Sequence, residues 1–150
     1  MAIRKILKIG DELLYKKSHE VTAFDERLWG LLDDMAETMK DSDGAGLAAV
    51  QVGILRRAVV IDAGEGITEL LNPKIIASEG TQYGAEGCLS VPGKRGDVMR
   101  PMQVTFEAQN RNGEKYTRMV TGLFARAVCH ELDHLEGKLY VEIADNLQQY

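Results

Sequence analysis

Between Asp25 and Lys40, the residues Leu28, Leu31, Leu32, Met35 and Met39 recur at helical spacing, with Asp33, Asp34, Glu37 and Lys40 on the other side. Apolar positions three and four apart share one face of a helix, so this stretch predicts an amphipathic packing helix. Thr22 with Asp25 resembles a capping box at its start, and Asp41-Ser42-Asp43-Gly44 ends it. Trp29 and the methionines read as core rather than as a ligand box. Upstream, Asp11 to Lys17 reads as a short helical turn, and His19 falls in a polar linker.

The pattern then changes. Gly44 to Gly53 is a run of small residues with one amide side chain, Gln51, and allows either tight turn packing or close approach of the backbone to a ligand. Arg57 to Asp62 and Thr68 to Leu71 read as strands around the Gly64-Glu65-Gly66 turn, and Lys74 to Gln82 supplies another. Tyr83 to Gly93 is too rich in glycine for a helix or a long strand and predicts a shaped loop holding Cys88. From Gln103 the alternation Val104, Phe106, Ala108 runs into Asn112-Gly113, a hairpin turn signal, and Lys115 to Val120 returns.

Thr121 is placed to cap a last long helix, and Gly137 to stop it. Phe124, Val128, Leu135 and Leu139 mark one apolar stripe, while Leu123 and Ala127 fall on the same side as His130 and His134. A helix with apolar residues on both sides is central and buried. The expected fold is therefore α+β, with mostly antiparallel sheets packed around a central C-terminal helix, in one domain spanning residues 1–150.

Composition narrows the function. A formal charge of -5 argues against a nucleic-acid surface as the main task. Two cysteines, Cys88 and Cys129, are too few for a disulfide scaffold. Ile3 to Ile9 is broken by Arg4, Lys5 and Lys8, so neither a signal-peptide core nor a membrane span is expected, and a reducing, cytoplasmic setting follows.

Chemistry enters with His130-Glu131-Leu132-Asp133-His134. A helix turns about 100° per residue, so two imidazoles four positions apart lie one above the other and can bind one metal ion. Glu131 then sits beside the metal as a base for its water. A catalytic site of this kind has three protein ligands and one open position. The third histidine of one metallopeptidase pattern falls on Tyr140, and the chain ends too soon for the distant glutamate of another, so the third ligand is expected upstream. Cys129 points about 100° away from His130. Cys88, in its glycine-flanked loop, is the better candidate; the alternative is that both cysteines are buried and inert.

Three stretches now carry a resemblance. Gly44-Ala45-Gly46-Leu47-Ala48-Ala49-Val50-Gln51, Glu86-Gly87-Cys88-Leu89-Ser90 and His130 to Gly137 look like the three ordered motifs of the peptide deformylases. The likeness spans nearly the whole chain and is to the compact bacterial type. Ala45 stands where the family more often has a larger aliphatic residue, and Cys129 where many members have glutamine; neither position supplies a metal ligand.

The resemblance implies removal of the formyl group from the N-terminal formylmethionine of new polypeptides, releasing formate. It implies Cys88, His130 and His134 as metal ligands, Glu131 as the proton carrier, and the Gln51 amide with the Leu89 backbone N–H as donors to the oxyanion. Fe(II) is the metal it implies in the cell, with Zn(II), Ni(II) or Co(II) able to substitute. The methionine side chain needs an apolar slot, for which Leu123, Ala127 and the Gly84 region are candidates. Gly46, Glu86 and Gly87 are candidates to line the substrate backbone, and Glu86 is equally a candidate structural partner for Arg100 or Arg126. The partners implied are nascent formyl-Met polypeptides, with the ribosome as a further candidate, and neither nucleic acid nor membrane. Two rival classes remain: a metallo-endopeptidase, and a non-catalytic metal-binding module whose fourth protein ligand, Cys129 or His19, closes the site.

Overall fold

A computed structural model describes residues 2–149. In chain order the strands are β1 (Gly46–Ala48), β2 (Ala58–Asp62), β3 (Ile67–Glu79), β4 (Gln82–Cys88), β5 (Val91–Arg100), β6 (Gln103–Gln109), β7 (Lys115–Thr121) and β8 (Asp145–Gln149). The helices are α1 (Glu26–Asp41) and α2 (Gly122–Leu135). Short 3-10 turns occupy Glu12–Tyr15, Ala49–Val52 and Tyr140–Glu142. A five-stranded sheet has the order β1-β2-β3-β6-β7 and a three-stranded sheet the order β4-β5-β8, every pairing antiparallel. None of the described helices is long and apolar enough to cross a membrane.

Strand β2 is buried on both faces because its alternate residues serve different helices. Val59 and Ile61 pack with Phe124, Val128 and Leu135 of α2, while Ala58 and Val60 pack with Leu28, Leu32, Met35 and Met39 of α1. That double burial explains why β2 reads as an unbroken apolar run rather than an alternation. Helix α2 turns its apolar side to this sheet. Its polar side meets the three-stranded sheet, so the helix lies between the two sheets as the periodicity predicts.

Several local expectations shift. Asp25 itself caps α1 by accepting the Leu28 N–H at 3.2 Å, so Thr22 is not the capping residue. Thr121 sits at the start of α2 without a side-chain cap. Trp29 is half-buried and donates its indole N–H to the Arg111 carbonyl at 2.6 Å. Lys74 to Gln82 is not a separate strand, because β3 continues through two register shifts and a positive φ of 49° at Asn72. The Asn72 side chain holds this break by bonding both backbone groups of Val21 and the Gln109 amide.

The largest revision concerns Tyr83 to Gly93, which is no loop. It is the hairpin of β4 and β5, turning at Leu89-Ser90. Here tertiary pairing overrides the low strand preference of glycine. Gly96 shows why a glycine is needed: a Cβ there would meet the Ala144 Cβ at 2.8 Å and block the approach of β8, which the sequence pattern did not reveal. Gly44 to Gly53 likewise holds a short strand, β1, followed by a 3-10 turn that closes at Gly53 with φ 85°.

Candidate metal centre and active-site cleft

Three elements bring the site together. Cys88 is the last residue of β4, and His130 and His134 stand one turn apart on α2. Their ligand atoms all lie within 4.8 Å of one another, with Cys88 Sγ 3.3 Å from His134 Nε2. Both histidines are buried.

His130 is held by a carboxylate behind it. Its Nδ1 lies 2.8 Å from Glu86 Oε1, so Nδ1–H donates to the carboxylate and Nε2 is the ring atom left for a metal. Glu86 also takes two bonds from Arg100, at 2.8 and 3.0 Å, and one from Arg126 at 2.8 Å. Arg100 extends the network to Asp133 at 2.9 Å. Burial alone would raise the Glu86 carboxyl, but hydrogen bonds from His130 and Arg100 outweigh it and hold it at about 2. Glu86 therefore pairs with both Arg100 and Arg126, and it lines the cleft as well. For His130, burial pushes the ring down while bonds to Cys88 and Glu86 push it higher overall. His134 has no partner on Nδ1, and burial pushes its ring toward the neutral form.

Glu131 points to the opposite lip of the site. A Cβ on Gly46 would sit 2.6 Å from Glu131 Oε2, so a glycine is required for the carboxyl to rest against β1. Its Oε1 is buried without a hydrogen-bond partner. Burial, with the nearby Glu86 charge adding and His130 opposing, raises its pKa to about 7. Gln51 approaches from the 3-10 turn after β1. Its Oε1 accepts the Ala48 N–H at 3.0 Å, which turns Nε2 toward Ser90 Oγ at 3.0 Å and Cys88 Sγ at 3.6 Å. Backbone bonds from Leu7 to Gln51 and from Ile9 to Ser90 stitch these two segments together.

The donor set fits a divalent cation: one thiol, two imidazoles with a lone pair each, and a buried carboxyl oxygen with nothing to bind. Cys129 is not part of it. It packs in the apolar cluster beneath the five-stranded sheet, where burial pushes its thiol up to about 11. His19 forms an isolated bridge with Arg56 and does not join the ligand group. No fourth protein ligand appears among the described residues, against the closed-site rival.

A cleft of about 340 Å³ opens over these groups. Gly46, Gln51 and Glu131 line it with Glu86, Gly87, Cys88 and Leu89, and Leu123 and Ala127 line its other end, with His130 between. His134 lies deeper. Ser90 and Asp43 are in or beside the cleft without a role expected from sequence, and Arg126, expected only as a partner for Glu86, lines it too; Ser90 stood inside a quoted motif, but nothing in the chain order pairs it with Gln51. A roomier groove of about 620 Å³ near Arg4, Asp25 and Ile54 holds no comparable cluster.

Fold and site together define a metal-dependent hydrolase built on antiparallel sheets around a His-Glu-x-x-His helix. The polypeptide deformylase family model matches residues 3–150, and the chain belongs to that family. The peptide deformylase of Acetivibrio thermocellus is 55% identical over 142 residues, covering 95% of this chain and 84% of the relative. Peptide deformylase from Thermotoga maritima superposes with a TM-score of 0.95 at 38% identity, covering 97% of this chain and 99% of that one. The enzyme from Synechococcus elongatus, solved in complex with actinonin, gives a TM-score of 0.91 at 39% identity, with 94% and 78% of the two chains covered.

Proposed function

We propose that this chain, acting as one catalytic domain over residues 1–150, hydrolyses the formyl amide of N-terminal formylmethionine on newly made polypeptides and releases formate. The observation that carries the reading is the convergence of Cys88, His130 and His134 beside the buried carboxyl of Glu131 in an open cleft.

Cys88, His130 and His134 would hold a divalent metal, whose chemistry when bound would be to polarise the carbonyl and lower the pKa of a water toward about 7. Fe(II) is our choice for the cell, with Zn(II), Ni(II) or Co(II) able to substitute in a thiolate and imidazole site. Glu131 accepts the proton of the attacking water and delivers it to the departing nitrogen. The Gln51 Nε2–H and the Leu89 backbone N–H donate to the formyl oxygen as it gains charge. The Ala48 bond that fixes Gln51 supports this, because the amide is aimed before substrate arrives.

The cleft suits a chain end. Among the described residues β1 pairs only with β2, and β4 only with β5, so each offers a free edge, and Gly46 and Gly87 on those edges both line the cleft. An extended peptide laid between them gains main-chain hydrogen bonds on both sides. Leu123 and Ala127 then flank the methionine side chain, and Glu86 contributes by holding His130 and Arg126. The substrate places the work in the cytoplasm, with the ribosome as the partner that presents new chains.

The test is an anaerobic assay of Fe(II)-loaded protein for formate release from formyl-Met peptides, beside Glu131→Gln. Turnover should fall by roughly 10²- to 10⁴-fold in the variant. Absence of formate from the loaded parent protein overturns the proposal.

A further inference from the structure

Leu123, Ala127 and the Gly84 strand predict an apolar slot, yet a guanidinium stands in it. Arg126 lines the cleft with a side chain only 10% exposed. Its Nη1 is fully occupied, donating to Glu86 Oε2 at 2.8 Å, the Val98 carbonyl at 3.0 Å and the Gly84 carbonyl at 3.3 Å. Nη2 has only Gln82 Oε1 at 3.5 Å, and Nε, for which no protein acceptor is seen among the described residues, is not among the buried unpartnered atoms, so water reaches it until an occupant displaces that water. Residue 84 leaves that side open, since a Cβ there would stand 3.5 Å from Nη2 and glycine has none. Guanidinium donors held in a largely buried place and short of acceptors favour an occupant that brings one. The two arginines are balanced by Glu86 and Asp133, so the matching acceptor is a neutral dipole rather than a second carboxylate.

We propose that Arg126 makes this slot select the formylated residue by the polarity of its side-chain tip, preferring a thioether or sulfoxide to a hydrocarbon of equal length. The inference rests on the deformylase reading above. A methionine sulfur is a weak acceptor, a sulfoxide oxygen a strong one, and the methylene that replaces sulfur in norleucine is none. A hydrocarbon tip seals the guanidinium donors from water without giving them a partner. Sites that hydrogen-bond a substrate group reject analogues lacking it for this reason.

The experiment compares kcat/KM of the metal-loaded protein on formyl-Met-Ala-Ser, formyl-norleucyl-Ala-Ser and formyl-methionine-sulfoxide-Ala-Ser. Ratios within one protein are independent of folded fraction and metal loading. The parent should prefer methionine to norleucine by about 5-fold or more, and should cleave the sulfoxide within about 10-fold of methionine. Arg126→Leu should bring the methionine to norleucine ratio near one and lower the sulfoxide by about 10-fold relative to methionine. Should that variant fail to fold, Arg126→Lys decides: it keeps a cation for Glu86 but has no donor where Nε stood, so its methionine to norleucine ratio should also fall. Equal cleavage of methionine and norleucine by the parent, or ratios unchanged in the variants, overturns this inference and leaves the deformylase reading standing. Failure of the parent to cleave any formyl peptide overturns both.

Discussion

Replacing Glu86 by glutamine keeps the shape of the side chain and removes a charge on which two guanidinium groups and an imidazole converge. In the folded protein the carboxyl is held at about 2 instead of 4.5, because the bonds from His130 and Arg100 outweigh the effect of burial. That difference corresponds to about 3 kcal/mol of stability at neutral pH. Since the folded value is the lower one, the contribution is complete above the ordinary carboxylate range and is lost as pH falls from 4.5 toward about 2. Removing one partner of a buried ion pair costs about 3–5 kcal/mol, so both routes predict a loss of that order for Glu86→Gln. Among the described residues Asp133, partly exposed, is then the one anion left on Arg100. Urea unfolding at neutral pH should report the loss, and the acid-dependent part of the parent's stability should be missing from the variant. His130 also loses the charged partner that orients it, so chelator competition should show metal affinity lower by about 10- to 100-fold. A variant within about 1 kcal/mol of the parent that also holds metal equally well refutes the reasoning.

Gln51→Leu should retain metal but lose roughly 10²- to 10³-fold in turnover, because it removes an aimed donor and only a long 3.6 Å contact to Cys88 Sγ while leaving all three ligand side chains in place; metal content and formate release measured together check this, and near-normal turnover removes the role. Gly137→Ala should destabilise the fold, since residue 137 has φ 76° and a Cβ there would lie 2.5 Å from the Tyr15 carbonyl oxygen. The left-handed conformation alone costs roughly 1–2 kcal/mol and the contact adds to it, so the melting temperature should drop by about 5 °C or more. An unchanged melting temperature shows that the 3-10 turn at Glu12–Tyr15 does not need that close approach.

Sequence by itself determined the parts whose cause is local. The i, i+4 pairing of His130 and His134, the apolar stripes of α1 and α2, and the β6-β7 hairpin at Asn112-Gly113 follow from fixed helix and turn geometry, which spacing along the chain encodes directly. Tertiary structure alone decided where Cys88 sits relative to the two rings, because that distance is set by a hairpin whose glycines conceal its strands. It also decided that the Gln51 amide faces Ser90, that Glu86 is held between Arg100 and Arg126, and that a guanidinium enters the slot beside Ala127. These contacts join residues from 14 to 40 positions apart. Burial and hydrogen-bond satisfaction choose such partners only after the sheets have closed around the helix.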